Sequence, residues 1–258
     1  MVIEVETDAR GVMTLWLARP EVHNALSAEL MDAVRAAVIP LKPGGDVRVL
    51  VLAGRGKSFC AGGDLGWMRG LFDASPEDRA REAKRLSDML HAIYMLDIPV
   101  IGRIHGNAFG GGVGLASLCD VAVGVAGRSF GLTETRLGLI PATIGPYVAA
   151  RLGPKTQSVF SSSRVFPAEE AVALGLLSRA VADDALDEAV EAEVLPYLGC
   201  APEAVGAAKR LARSLGPRID DAVLEHAAQA LTDIWQGEEA KEGVSAFFEK
   251  RVPAWKTS

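Results

Sequence analysis

An α/β core running into a helical C-terminal region is the fold expected of this 258-residue chain. Three observations carry the expectation. Short apolar runs alternate with segments of helical periodicity as far as Pro141. Beyond it, helical patterns follow one another almost alone. Two glycine-rich segments, Gly62-Gly63 and Gly110-Gly111-Gly112-Val113-Gly114, fall just after strand-like runs.

Val2–Glu6 and Val12–Leu17 read as paired strands around the turn Asp8-Ala9-Arg10-Gly11. Leu30, Met31, Val34, Ala37 and Val38 keep helical spacing behind a Ser27 cap, and Pro40 ends that helix. Val47–Leu52 reads as a buried strand, Met68–Pro76 as a mobile loop and Glu77–Leu96 as an amphipathic helix. Pro99–His105 is the next strand, followed by the glycine segment, a short helix over Leu115–Cys119 and a strand over Asp120–Val125. Helices are then expected near Ile144–Leu152, Ala168–Leu174, Asp184–Tyr197, Pro202–Leu215, Asp220–Trp235 and Glu238–Lys250. The change to helices alone falls near Gly153, with no low-complexity linker to separate the parts.

Composition narrows the function. Hydrophobic residues make up 49% and charged residues 23%, the balance of a globular domain with a sizeable core. A net charge of −6 argues against a nucleic-acid surface. Three cysteines without paired spacing suit a reducing, cytoplasmic setting, and no apolar run is long enough to span a membrane. The four histidines show no ligand spacing, so no metal site is expected. His105, at the end of a buried strand, reads as a hydrogen-bonded structural residue.

Several motifs fail on spacing. Gly56-Lys57-Ser58 lacks the earlier glycine of a P-loop, because Val51 stands there. Gly112-Val113-Gly114-Leu115-Ala116-Ser117 falls short of the dinucleotide fingerprint, and Gly106-Asn107-Ala108-Phe109 separates its strand from the first glycine. There is no Gly-x-Ser-x-Gly elbow, and Ser161-Ser162-Ser163 reads as helical. The glycine segments survive this sorting. Packing of helix on strand would explain one of them alone. Two after successive strands, with an acidic residue downstream, point instead to backbone N–H groups aimed at a developing oxyanion.

These residues sit in a larger pattern. Arg19-Pro20 with Asn24-Ala25-Leu26 comes first, then Ser58-Phe59-Cys60-Ala61-Gly62-Gly63-Asp64-Leu65. His105-Gly106-Asn107-Ala108-Phe109-Gly110-Gly111-Gly112 and Cys119-Asp120 follow. Next are Phe130-Gly131-Leu132-Thr133-Glu134, then Leu137-Gly138-Leu139-Ile140-Pro141, then Ala168-Glu169-Glu170-Ala171 with Gly175-Leu176-Leu177. Ala246-Phe247-Phe248-Glu249-Lys250-Arg251 completes the set. In order and content the chain resembles the crotonase, or enoyl-CoA hydratase/isomerase, superfamily over nearly its whole length.

That resemblance implies a spiral of ββα units over residues 1–195 and a helical trimerisation region over 196–258, assembling as a homotrimer or a dimer of trimers. It implies an acyl-CoA thioester as substrate, with coenzyme A part of the substrate and no separate cofactor. It implies Gly63 and Gly111 as oxyanion donors and Glu134 as the catalytic acid/base. Ala25, Ala61, Gly62, Asp64, Leu65 and Gly66 would line the coenzyme A path. Phe247 and Lys250 would meet its adenine end, and Arg19 and Lys57 are considered for its phosphates. Hydratases of the family carry a second glutamate where this chain has Gly114. With only Glu134 left, a hydratase and a single-base enoyl-CoA isomerase both stay open, as does an inactive acyl-CoA-binding protein. The stretch Gly138–Val148 together with Gly114 resembles bacterial methylglutaconyl-CoA and isohexenylglutaconyl-CoA hydratases, which favours hydration of a branched glutaconyl-type thioester. Arg136 is then considered as a partner for the distal carboxylate.

Overall fold

The computed structural model describes residues 1–72 and 74–256. In chain order its strands are β1 (Ile3–Thr7), β2 (Val12–Leu17), β3 (Val49–Gly54), β4 (Ser58–Cys60), β5 (Val100–Ile104), β6 (Asn107–Phe109), β7 (Val121–Val125), β8 (Ser129–Gly131), β9 (Val165–Pro167) and β10 (Arg179–Val181). Its helices are α1 (Ala28–Val38), α2 (Leu65–Phe72), α3 (Pro76–Tyr94), α4 (Gly111–Ser117), α5 (Gly145–Leu152), α6 (Gln157–Phe160), α7 (Ala168–Leu174), α8 (Leu186–Leu198), α9 (Pro202–Leu215), α10 (Asp221–Trp235) and α11 (Glu238–Phe248).

The strands divide between two sheets. The larger runs β1-β2-β3-β5-β7-β10 and the smaller β4-β6-β8-β9. β1 and β2 form an antiparallel hairpin, and from β2 onward the large sheet is parallel. The pairs β3/β4, β5/β6 and β7/β8 each put their first strand in the large sheet and their second in the small one. Repeating that step winds the chain into a spiral. The parallel strands β4, β6 and β8 therefore end at the same edge of the small sheet, and that edge carries the site, while β9 pairs with β8 antiparallel.

Strand β3 is buried throughout, as a parallel strand covered on both faces must be. Its alternation sends Leu50 and Leu52 into the main core, with Leu15, Leu30, Val34 and Ile93. Val49 and Val51 face the other way, into a second cluster with Ile101, Val123 and Val125 under Leu186, Val190 and Val194 of α8. Helix α8 continues through residue 195, so the expected division at 195/196 falls inside it.

The C-terminal helices are fastened to the core by polar contacts. Lys209 on α9 donates to the Ile98 carbonyl (2.9 Å) and pairs with Asp120 (2.6 Å), while Arg213 pairs with Asp97 (2.8 Å). Gly206 lets α9 approach Pro43, whose Cγ would lie 2.5 Å from an added Cβ. Helix α10 packs on α3 and α5, and α11 packs on the short 3-10 turn Glu134–Leu137.

Two expectations need correction. Of Met68–Pro76, read as a mobile loop, residues 68–72 belong to helix α2 (Leu65–Phe72) and Pro76 begins α3. Gly66 and Gly70 disguised α2, but the Asp64 carboxylate accepts the Trp67 N–H (3.0 Å), and the Trp67 indole N–H donates to Glu82 (2.9 Å) on α3. Asp73 lies outside the described residues. The Ser161-Ser162-Ser163 run is a turn after α6, where Ser163 takes a φ of 48°.

Candidate active site

Two loops meet above the small sheet. The first starts with Asn24, which is fully buried at a positive φ of 56°. Its amide donates to the carbonyls of Arg55 (2.8 Å) and Ser58 (2.8 Å), and its Oδ1 accepts the Arg19 N–H (2.9 Å). Leu26 then pairs with the glycine loop: its N–H donates to the Gly62 carbonyl (2.7 Å), and its carbonyl accepts the Asp64 N–H (3.0 Å). Gly63 sits between those two bonds. Its own N–H donates to no backbone or side-chain oxygen among the described residues.

Arg19 locks this loop. Its guanidinium donates to the Ala25 carbonyl (2.6 Å) and pairs with Asp64 (2.9 Å). Burial would raise the Asp64 carboxyl, but the Trp67 N–H and the Arg19 guanidinium outweigh it and hold the group below the usual carboxylate range. Arg19 is thereby committed to the loop rather than presented to a phosphate.

The second loop is the start of α4. Gly110 takes a φ of 49°, and its N–H donates to the Gly131 carbonyl (2.9 Å) of β8. Gly111 is the first helical residue, so its N–H has no partner within the helix. The two loops touch: a Cβ built on Gly62 would lie 3.7 Å from the Gly111 nitrogen. A Cβ on Gly111 would lie 2.5 Å from Leu26 Cδ1 and must displace that methyl, and a side chain at Gly62 would be strained at its φ of 96°.

Glu134 completes the group. It opens the 3-10 turn after β8, and a Cβ on Gly110 would come within 2.9 Å of its Oε1. Its Oε2 is buried and has no hydrogen-bond partner among the described residues. Burial pushes the Glu134 carboxyl up to about 7, against the pull of the Glu134 and Thr133 backbone N–H groups. Gly63, Gly111 and Glu134 all line one cavity of about 340 Å³, walled mainly by apolar side chains including Leu26, Trp67, Leu86, Ile144 and Trp235. The arrangement pairs two N–H groups, unengaged among the described residues, with a carboxyl raised to about 7 and so able to exchange a proton near neutral pH.

The position of Gly114 explains why one carboxyl stands alone. A Cβ there would lie 2.4 Å from Ile144 Cγ2 and 2.9 Å from Ile144 Cβ. Any side chain at 114 would have to displace Ile144.

Other expected residues fall in and around the loops. Ala25 is buried, Ala61 is exposed and donates to the His23 carbonyl (3.0 Å), and Gly62 holds a φ of 96°. Gly66 contributes its N–H to Asp64. The Leu65 side chain lies outside the described residues. Phe247 and Lys250 do not line the cavity: Phe247 is half exposed, and Phe248 beside it packs against α2, under the Arg69 guanidinium (4.5 Å). Arg136 is likewise not at the cavity and instead donates to the Ser163 carbonyl (2.7 Å). His105 donates its Nε2 proton to the Gly56 carbonyl (2.9 Å), a structural bond.

Sequence reasoning did not assign Trp67, Met68 and Leu71 from α2, or Leu231, Thr232, Trp235 and Gln236 from α10, to the cavity wall. The period of α10 was visible. Which cavity it would cover depends on how the chain returns, and no local signal carries that.

The family model for enoyl-CoA hydratase/isomerase matches residues 7–258. A putative enoyl-CoA hydratase of Thermus thermophilus is 33% identical over 254 residues, covering 96% of this chain and 99% of that protein. A carnitinyl-CoA dehydratase of Salmonella typhi is 32% identical, covering 95% of each. Among solved structures, an enoyl-CoA hydratase of Mycobacterium smegmatis matches with a TM-score of 0.79 and 34% identity over all of both chains. A putative enoyl-CoA hydratase of Mycobacterium avium paratuberculosis matches with a TM-score of 0.86 and 30% identity, again over all of both. With its spiral of paired strands, two glycine loops and buried glutamate, this chain belongs to the enoyl-CoA hydratase/isomerase family and has the crotonase fold.

Proposed function

We propose that this chain is a hydratase-type lyase that adds water across the double bond of a 2-enoyl-CoA thioester, with Glu134 as its single acid/base. The carrying observation is the buried Glu134 carboxyl, with Oε2 unpartnered, in the same cavity as the Gly63 and Gly111 N–H groups. In this reading Glu134 takes a proton from water as the oxygen bonds to C3. The displaced electron pair moves through C2 onto the thioester oxygen, where the two N–H groups stabilise the enolate. Glu134 then returns the proton to C2, so one water is added and the carboxylate is regenerated. Each oxyanion donor is worth about 3 kcal/mol in the transition state.

A branched glutaconyl-type acyl group is the finer reading. The Gly114 and Gly138–Val148 sequence supports it, and the apolar walls suit its alkyl branch but not its distal carboxylate. A distal carboxylate would also need a cation. Arg79, whose Nε donates to the Leu71 carbonyl (2.9 Å), lines the cavity, whereas Arg136 does not. The apolar exposed side chains Leu211, Leu215, Ile234 and Phe247 on the last helices support self-association as a trimer or a dimer of trimers. Light scattering after size exclusion tests it, and a strict monomer counts against it.

The packed Gly114–Ile144 contact favours one rival. A lone carboxyl beside an oxyanion hole suffices to move a proton between two carbons, which is an isomerase. The deciding experiment offers crotonyl-CoA, 3-methylglutaconyl-CoA and a 3-enoyl-CoA to the wild type and Glu134→Gln, with product identification. Hydroxyacyl products lost in the variant support the hydratase. Conversion of the 3-enoyl thioester alone replaces it with the isomerase, and unchanged turnover in Glu134→Gln removes the role given to that residue.

A further inference from the structure

Two side chains bearing an amide or an aliphatic hydroxyl are buried among the described residues, Asn24 and Ser163, the latter 3% exposed. Both stand at a left-handed φ, 56° and 48°. Glycine takes that conformation freely and asparagine tolerates it, but it strains serine. Asn24 ties the first glycine loop together through its amide. Ser163 stands in the same relation to the turn that begins with Glu134.

Sheet register brings the two together. β9 pairs antiparallel with β8, Gly131 opposite Val165, so the residues just before β9 run back along those just after β8. The Ser163 hydroxyl is hydrogen-bonded to the Thr135 hydroxyl, and the Ser163 carbonyl accepts the Arg136 guanidinium (2.7 Å). Both residues that follow Glu134 are therefore held by Ser163. A glycine at 163 would meet the φ of 48° without strain and keep the carbonyl bond. What serine adds at this place is the bond to Thr135.

Resting on the reading of Glu134 as the acid/base, we propose that Ser163 is a positioning residue: its hydroxyl, through Thr135, fixes the turn that aims the Glu134 carboxyl into the cavity shared with the Gly63 and Gly111 N–H groups. A loosened turn would let the carboxyl leave its aim and let water reach it. The first effect lowers kcat. The second relieves the burial that holds the carboxyl at about 7, so its value falls toward 4.5. That burial is opposed by backbone N–H groups, and no charged side chain contributes to the shift. Charged groups around the turn have partners of their own: Arg136 on Ser163, Arg164 on Glu170 (2.6 Å), and on α11 Glu238 on Lys241 (2.6 Å) and Glu242 on Arg251 (2.6 Å). Glu239 meets Gly138 through its backbone, and Arg79 lines the cavity while its Nε bonds the Leu71 carbonyl.

The test compares Ser163→Gly, Thr135→Val and the conservative Thr135→Ser in the whole chain. Ser163→Gly removes the hydroxyl without strain, Thr135→Val removes its partner at nearly constant shape, and Thr135→Ser keeps the bond. In the first two, kcat should fall by about 10- to 100-fold with KM little changed. Their pH limb near 7 should move to lower pH, while Thr135→Ser keeps the wild-type kcat and limb. The fall in stability between pH 5 and 7.5, which needs no turnover to measure, should shrink in the same two variants. Thermal melts report folding, and if one variant does not fold the other carries the comparison. A lowered Tm with kcat, limb and stability slope all in place would make Ser163 merely structural and overturn the inference. So would a limb moved by Thr135→Val but not by Ser163→Gly, because one bond has both ends. An inactive Glu134→Gln beside unaffected Ser163→Gly and Thr135→Val removes this inference alone. Wild-type turnover in Glu134→Gln removes the acid/base reading and this inference with it.

Discussion

Gly243 on α11 lies directly against Leu137, so closely that a Cβ at 243 would come within 2.4 Å of the Leu137 carbonyl carbon. Leu137 ends the 3-10 turn that Glu134 begins. The neighbouring Gly138, with a φ of 67°, lies as tightly against the Glu239 carbonyl. The last helix is thus a buttress for the turn that presents the Glu134 carboxyl to the cavity.

Gly243→Ala should therefore damage stability and catalysis together. Overpacking of a tight contact costs about 1–3 kcal/mol, read as a lowered Tm. Displacing Glu134 by even about 1 Å is expected to lower kcat by up to about 100-fold. A variant with wild-type Tm and kcat would show that α11 does not support the turn.

The pH dependence of turnover follows from Glu134. Acting as a base toward water, it must be ionised, and burial sets its value at about 7. kcat/KM for hydration should rise through pH 7 and level off above it. Glu134→Gln should lose about 10²–10⁴-fold and leave no limb near 7. A wild-type profile flat from pH 5 to 9 would exclude Glu134 as the group titrating in catalysis.

The same group makes stability depend on pH in the opposite sense from an ordinary carboxylate. Its folded value of about 7 lies above the ordinary value of 4.5. Between those values the folded chain holds a proton that the unfolded chain has released, so stability falls as pH rises. The contribution is fully present below pH 4.5 and lost by about pH 7, on the order of 3 kcal/mol. Glu134→Gln should abolish that slope in denaturant titrations at pH 5 and 7.5. A variant retaining the slope would assign it to another group.

Asp64 carries the reverse dependence. It is held below the usual carboxylate range despite its burial, so its contribution is present above about pH 4 and lost as pH falls through its lowered value. Arg19→Ala removes the partner that fixes the Gly63 loop. Because both side chains are mostly shielded, the loss should be about 1–3 kcal/mol, more than an exposed pair provides. A fall in kcat should accompany it, since the Gly63 N–H loses its fixed aim. Denaturation at pH 7 with steady-state kinetics checks both, and an unchanged kcat would mean the loop holds its shape without Arg19.

How much of this could be read from residues varies with the range of the forces involved. Strand β3 and helix α9 were legible because their apolar period is local. The two glycine loops were legible because close backbone approach dictates their residue type at single positions, whereas Glu134 was reached only through the family resemblance. Helix α2 was not, because Gly66 and Gly70 lower its propensity and its order comes from Trp67 bonding to Glu82 fifteen residues on. The cavity wall supplied by α10 was not either, since it depends on where α9 anchors through Asp97 and Asp120. Ile144 lay in a stretch already singled out, yet its contact with Gly114 exists only once α4 and α5 pack.

That contact yields the last prediction. Gly114→Glu must push against Ile144 Cγ2 and Cβ in a buried part of α4. Alone it should destabilise the chain by about 1–3 kcal/mol through overpacking, with a further cost for burying the carboxyl. Shortening Ile144 opens the space, so Gly114→Glu with Ile144→Ala should recover part of the loss. The two changes should couple by about 0.5–3 kcal/mol in a double-mutant cycle. A carboxyl placed there by the double variant would enter the cavity that Glu134 lines, and two such groups in one site cannot both ionise freely. The limb of the pH profile near 7 should then move upward in the double variant relative to Ile144→Ala alone. Additive stabilities and an unmoved limb would mean that a side chain at 114 turns away from both Ile144 and Glu134.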